Sequence, residues 1–235
     1  MRKLCVKLDR IAALRQLHDS LEPDPVTAAA LCELNGADSI SVRLKTEQGS
    51  IKPRDIKLLR QMIQTELNLE IPNRQDYTTL AKKFKPDCVT IIPAYQETNI
   101  IHNGLKINNK LQEIIASIKE DNLKICLLLD PDPLLIKQAF KLDIQAIELC
   151  IGNYAFLKDK NEIAKELKNI HKAAEMVHQA KLPCAAGHGI NYHNIRALVQ
   201  IKEISEFKIG YALVSRAIFT GLDNAVRDLR SIIDA

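Results

Sequence analysis

The residues of this chain with the most chemical capacity stand at the ends of short apolar runs. The run Lys181-Leu-Pro-Cys-Ala-Ala186 stops at Gly187-His188-Gly189, and the helical spacing Ile195, Leu198, Val199 then begins. A histidine between two glycines has little packing work to do. The glycines permit a sharp turn and close approach of a ligand, and an imidazole donates, accepts or transfers a proton near neutral pH. Other runs end on Lys7 and Asp9, Arg43 and Lys45, Glu70, Pro93, Asp130, Glu148 and Cys150, and Gly210. Cations, carboxylates and one glycine-flanked histidine together suit an anionic substrate that requires proton transfers. Blander roles compete at five of these positions. Asp130 precedes Pro131 and reads as a turn former, Glu148 as a carboxylate that orders neighbouring cations, Cys150 as filler without an activating partner, Glu70 as the simple ion-pair partner of a rim Lys or Arg, and His188 as a satisfied loop histidine.

The elements that must position these residues alternate between two periods. Strand-like runs fall at 3–9, 38–44, 67–71, 87–92, 123–129, 144–150, 182–186 and 206–210. Helix-period segments fall at 24–35, 53–66, 75–83, 109–120, 132–141, 160–180, 191–202 and 215–233. Pro53, Pro133 and the Pro23/Pro25 pair sit near helix starts, where a missing N–H costs least. Eight strand-then-helix units predict a parallel sheet closed into a (β/α)8 TIM barrel, with residues 1–235 as one domain. An open doubly wound sheet is the competitor, but no G-x-G-x-x-G follows the first strand. A barrel gathers its chemistry at the C-terminal strand ends, and the loops after strands seven and eight are its usual phosphate seat. Backbone N–H groups near Gly189, Gly210 and Ser215 are the candidates for that seat. His171 and His178 read as surface residues of the long helix, His193 as a residue that caps or packs the helix after the GHG turn, and 96–109 as a candidate lid.

Composition narrows the partners. A formal net charge of +4 is spread among 29 acidic residues, aromatics are 4% and Trp is absent. No concentrated basic stripe or stacking platform suggests nucleic acid, and a phosphorylated small molecule fits better. Six cysteines without C-x-x-C spacing read as reduced thiols of a cytoplasmic protein. The N-terminus runs straight into a strand, which predicts no signal peptide, and no apolar stretch is long enough for a membrane span.

Several ordered segments carry more than their individual chemistry. They are Asp9-x-Ile11-Ala12-x-Leu14-Arg15, Pro23-Asp24-Pro25-Val26, Gly36-Ala37-Asp38-x-Ile40-x-Val42, Asp55-Ile56-x-x-Leu59-Arg60, Asn68-Leu69-Glu70, Ala186-Gly187-His188-Gly189-x-x-Tyr192-His193-Asn194, Ile209-Gly210, Arg216-Ala217 and Thr220-Gly221. Together they resemble the pyridoxine 5'-phosphate synthase family over nearly the whole chain. The resemblance implies a (β/α)8 barrel with extra helices, usually octameric, without metal or redox cofactor. It further implies condensation of 1-deoxy-D-xylulose 5-phosphate with 3-amino-2-oxopropyl phosphate, closing a pyridine ring and releasing phosphate and water. By the same resemblance Glu70 matches a general base, His188 a general acid, and Gly189 and Gly210 the phosphate-holding backbone.

Other positions depart from the family. Its Asn-x-Asp-His reads Lys7-x-Asp9-Arg10, its strand-two histidine is Arg43, and the Arg two residues later is Lys45. Gly-His after strand eight has become Gly210-Tyr211, and the positions of a Glu and a His are taken by Ala94 and Cys150. Lys7, Asp9, Arg10, Arg43, Lys45 and Tyr211 are therefore expected to bind substrate or phosphate. An arginine stays protonated and cannot replace a histidine base. Two other readings stand beside the synthase: a divergent barrel enzyme acting on another phosphorylated compound, and a non-catalytic phosphate-binding paralogue.

Overall fold

The computed structural model describes residues 1–44, 50–94, 103–119 and 121–235. Among them, β1 (Lys3–Lys7), β2 (Ser39–Arg43), β3 (Glu66–Pro72), β4 (Cys88–Ile92), β5 (Lys124–Leu129), β6 (Ala146–Cys150), β7 (Cys184–Gly187) and β8 (Glu206–Ile209) pair in parallel and in sequence order. β1 also pairs with β8, Val6 opposite Ile209, so the barrel is closed.

Strand alternation explains what each face does. Leu4 and Val6, Ile40 and Val42, Leu67 and Leu69, Val89 and Ile91, and Phe207 and Ile209 join the buried apolar layer under the helices. The alternate positions point into the barrel, and many of them are polar. Asn68 Nδ2 donates to Ser41 Oγ at 2.8 Å, and Thr90 Oγ1 donates to Asn68 Oδ1 at 2.7 Å. Lys208 Nζ donates to Thr90 Oγ1 at 3.1 Å. Buried polar groups persist only when paired, and this interior row is paired. Ile92, Leu128 and Cys150 form a small separate apolar cluster.

The outer layer is α1 (Asp9–Leu17), α2 (Pro25–Leu34), α3 (Pro53–Met62), α4 (Asp76–Phe84), α5 (Asn109–Lys119), α6 (Pro133–Ala139), α7 (Gly152–Phe156), α8 (Lys160–Gln179), α9 (Ile195–Leu198), α10 (Tyr211–Thr220) and α11 (Leu222–Asp234). Proline opens α2, α3 and α6. Asp132 accepts from the Leu134 N–H at 2.8 Å, and Asp159 accepts from the N–H groups of Asn161 and Glu162, as N-caps do.

Four helix expectations are corrected. The 191–202 segment is helical only in α9, because Asn191 Oδ1 takes the His193 and Asn194 N–H groups while Asn194 Nδ2 donates to Gly189 O. That turn leaves His193 exposed. The 215–233 segment is two helices, since Gly221 at φ +83° separates α10 from α11. α10 also begins at Tyr211, directly after β8, so Ser215 lies inside the helix rather than at its mouth. α1 and α7 are additional. Cys5, Cys88, Cys126, Cys150 and Cys184 sit on strands, Cys32 on α2, and all six are free thiols. No helix of the described residues is long and apolar enough to cross a membrane.

Candidate active site

Five strands deliver charged side chains to one cluster at the C-terminal end of the barrel. Lys7 ends β1, Arg43 ends β2, Glu70 lies on β3, Glu148 on β6, and His188 follows β7. Lys7 Nζ pairs with Glu70 Oε1, while Arg43 Nε and Nη2 both reach Glu70 Oε2 at 3.0 Å. Glu70 and Glu148 are fully buried. Glu148 Oε1 lies 3.1 Å from His188 Nδ1, and its Oε2 lies 2.9 Å from Lys208 Nζ. Arg43 Nη2 stands 3.4 Å from His188 Nε2.

These contacts assign the tautomer of His188. A guanidinium only donates, so Nε2 beside Arg43 is the acceptor and the proton sits on Nδ1, facing the Glu148 carboxylate. Burial lowers the His188 pKa below its ordinary value and Lys7 adds to that, outweighing the opposite pull of Glu148 and Glu70. The imidazole is therefore neutral near pH 7, with its Nε2 lone pair at the rim. Burial alone would raise the Glu70 carboxyl, but Lys7 and Arg43 bring it down to about 2. Burial would likewise raise Glu148, and Lys208 outweighs it, leaving Glu148 below the usual carboxylate range.

Local backbone makes the cluster possible. His188 has φ +69° and Gly189 φ +102°, so the chain leaves β7 through two left-handed residues. A Cβ at Gly189 would also meet Ala155 Cβ at 2.4 Å. Gly187 serves space instead, since a Cβ there would lie 2.1 Å from Glu148 Oε1. At Gly210 a Cβ would stand 2.9 Å from Lys7 Cβ. The glycines flanking the histidine thus seat its carboxylate partner and turn the chain.

The other expected site residues divide. Asp9 Oδ1 accepts the Arg43 backbone N–H at 2.7 Å, which fixes the end of β2. Arg10 lies over the Tyr211 ring, 5.9 Å from its centroid, and that ring is exposed at the start of α10. Lys45 falls outside the described residues, as does much of the 96–109 segment. Its remainder is tied to β5: Gly104 N donates to Asp130 Oδ1 and Leu105 N to Leu128 O. Asp130 also turns the chain through the Asp132 N–H, and burial raises its pKa. Burial pushes the Cys150 thiol up to about 12, which removes it as a nucleophile.

Two further groups matter that the strand pattern alone did not single out. Lys208 is an interior lysine on β8. Arg15 and Asp55 form a buried two-pronged pair at 2.9 and 2.6 Å, with Arg15 also donating to Ser50 O, so they staple α1 to the start of α3.

Ligand atoms of Glu70, Glu148 and His188 lie within 4.8 Å of one another, near enough to hold a cation. Both carboxylates already face cations, however, and Lys7, Arg43 and Lys208 leave the cluster positive. That balance favours an anion.

Acid should weaken the fold through these groups. Glu70 contributes stability above the unfolded carboxyl pKa near 4.5 and loses it as pH falls toward 2, worth about 3 kcal/mol. Glu148 and Asp55, also lowered, act in the same direction. So does His188, whose lowered value makes the unfolded chain bind the extra proton. Chemical denaturation at pH 7, 5 and 3 checks this: stability should fall mainly below 4.5, and a flat profile from 5 to 3 would contradict the pairing.

The family model described as "Pyridoxal phosphate biosynthesis protein PdxJ" matches residues 4–235. A protein named pyridoxine 5'-phosphate synthase from Geobacter metallireducens is 38% identical over 236 residues, covering 99% of both chains. One of the same name from Synechococcus sp. is 36% identical over 233 residues, covering 98% of both. Among solved structures, a phosphoribosyl anthranilate isomerase from Thermus thermophilus superposes with TM-score 0.62 at 9% identity, covering 99% of this chain and 98% of that one. A structure titled "Native KDPGal structure" gives 0.62 at 14% identity, covering 99% and 96%. At such identities these two structures speak for the barrel alone.

Proposed function

This chain belongs to the PdxJ family of pyridoxal phosphate biosynthesis proteins, and from that premise we propose how its rim does the family's work. It is an enzyme of vitamin B6 biosynthesis, condensing 3-amino-2-oxopropyl phosphate with 1-deoxy-D-xylulose 5-phosphate to pyridoxine 5'-phosphate. The observation that carries the site assignment is one cluster holding a neutral histidine, a buried carboxylate and two cations at a barrel mouth.

Both substrates are phosphorylated and the product keeps one phosphate, so the site must hold two anions and release one. Lys7 and Arg43 supply one positive pole, with Arg10 and Tyr211 at its edge. The leading N–H groups of α10, after Gly210, and the turn at Gly189 supply the other. A phosphate arriving at Lys7 and Arg43 competes with Glu70 for them. As the cations turn to the phosphate, the Glu70 pKa rises toward the range of a working base. His188 accepts a proton at Nε2 first and acts as the acid afterwards, returning it to a leaving oxygen. Arg43 stabilises departing phosphate and moves no proton. Asp9 holds Arg43 in place through the Arg43 backbone N–H.

Release of inorganic phosphate tests this reading. Both substrates together should release phosphate steadily, and neither alone should. Release from one substrate alone would overturn the condensation.

We further assign the protein to the cytoplasm, as its six free thiols support, as one barrel domain, and as a homo-oligomer. Leu14 on α1, Leu31 on α2 and Ile218 on α10 are exposed apolar side chains lining one groove between these helices. A second copy is the occupant that fits a broad apolar face. Light scattering on the purified protein should give a multiple of the chain mass; a monomer at micromolar concentration would contradict it.

A further inference from the structure

Lys208 is placed where a barrel usually carries a branched apolar side chain. It is 3% exposed, on β8 below the rim, and among the described residues its ion pair is with Glu148. Its surroundings fix its direction. An ammonium has only protons to give, so Thr90 Oγ1 accepts from Lys208 and sends its own proton to Asn68 Oδ1. Asn68 Nδ2 then donates to Ser41 Oγ. Each member has one hydrogen-bond orientation, and the row holds Nζ 2.9 Å from Glu148 Oε2.

A buried ion pair is costly to assemble, and an apolar pair of similar volume would hold the barrel as well. What the pair does is visible at the other oxygen of Glu148, 3.1 Å from His188 Nδ1. A protonated Glu148 would no longer demand a proton from Nδ1. The imidazole could then carry its proton on Nε2, where the rim needs a lone pair.

We propose that Lys208 is a positioning residue: by holding Glu148 as a carboxylate, it fixes His188 in the Nδ1–H tautomer and leaves Nε2 as the acceptor at the mouth. Four charged groups face His188: Glu148 from β6, Lys7 from β1, Arg43 from β2 and Glu70 from β3. Among them, Glu148 alone contacts Nδ1 in the described residues. Lys208 acts on the histidine through that one link.

The inference rests on His188 being the proton-transfer group, but its test reads the tautomer without turnover. Nitrogen-15 spectra of the wild-type protein with labelled histidine should show His188 with Nδ1 protonated and Nε2 bare at pH 7.5. A dominant Nε2–H form would overturn the proposal. In Lys208→Met the spectrum should move to a mixture or to Nε2–H, and kcat should fall about tenfold or more, with KM for both substrates within about threefold. Wild-type tautomer and wild-type kcat in a folded Lys208→Met would also overturn it. If the Met variant does not fold, Lys208→Gln keeps a donor to Glu148 without the charge. It should give an intermediate mixture, and unchanged spectra there would count equally against the idea. A wild-type protein with the expected tautomer but no turnover would contradict the synthase reading alone.

Discussion

Glu70→Gln should stop ring closure while strengthening phosphate binding. The carboxylate is the countercharge of both Lys7 and Arg43, and glutamine keeps its shape but can neither take a proton nor neutralise them. Loss of a working base lowers kcat by about 10²- to 10⁴-fold. Inorganic phosphate, no longer competing with a buried carboxylate, should bind roughly fivefold more tightly, about 1 kcal/mol. Without ligand the variant should be less stable than wild type, because Lys7 and Arg43 lose the carboxylate that neutralises them. Phosphate should return much of that stability. Steady-state kinetics, calorimetric titration with phosphate and thermal melts with and without phosphate check the three parts. Weaker phosphate binding would show that Glu70 positions Lys7 and Arg43 for the anion rather than competing with it.

His188→Asn should lower kcat by about 10²- to 10⁴-fold and leave phosphate binding close to wild type. The proposed phosphate seats use other residues, and asparagine tolerates the left-handed backbone that His188 occupies at φ +69°. The pH dependence separates this from a structural effect. In the wild type, kcat/KM should fall on the acid side as His188 takes a proton, with an apparent pKa below the ordinary histidine value of 6.5. The residual activity of the variant should lack that limb. An unchanged limb would assign it to another group.

Much of this was legible in the sequence because barrel strands are short and their outward residues strictly apolar. Strand-like runs such as 87–92 and 123–129 lie within a residue of β4 and β5 at either end. The rim residues followed from the same pattern, since the last side chain of a strand reaches the mouth whatever loop comes next. Glu148 ordering a neighbouring cation was legible too, but the cation was not. Lys208 in Glu206-Phe-Lys-Ile209 alternates with apolar neighbours as a solvent-facing lysine would. Only closure of β8 against β1 makes its face an interior one. Local chemistry explains the missed helices. α1 begins straight from the strand at Leu8, without a capping side chain or proline, and α7 spans five residues, too short for a period. The expected helix at 191–202 lost its first turn to asparagine side chains that bond the backbone themselves. Arg15 and Asp55 stood among the segments resembling the family, yet their part is to hold α1 against α3.

Lys7, Arg10 and Arg43 concentrate positive charge at the rim, Tyr211 adds a neutral ring, and the proposal leaves Glu70 and His188 as its proton-transfer groups. The most direct measurement is therefore product formation itself. Purified protein is incubated with 1-deoxy-D-xylulose 5-phosphate and 3-amino-2-oxopropyl phosphate, and pyridoxine 5'-phosphate is followed by mass spectrometry. The wild type should form it over many turnovers with one phosphate released per product, and Glu70→Gln and His188→Asn should form almost none. No product from the wild type at enzyme concentrations equal to substrate, with both substrates bound, would contradict the account.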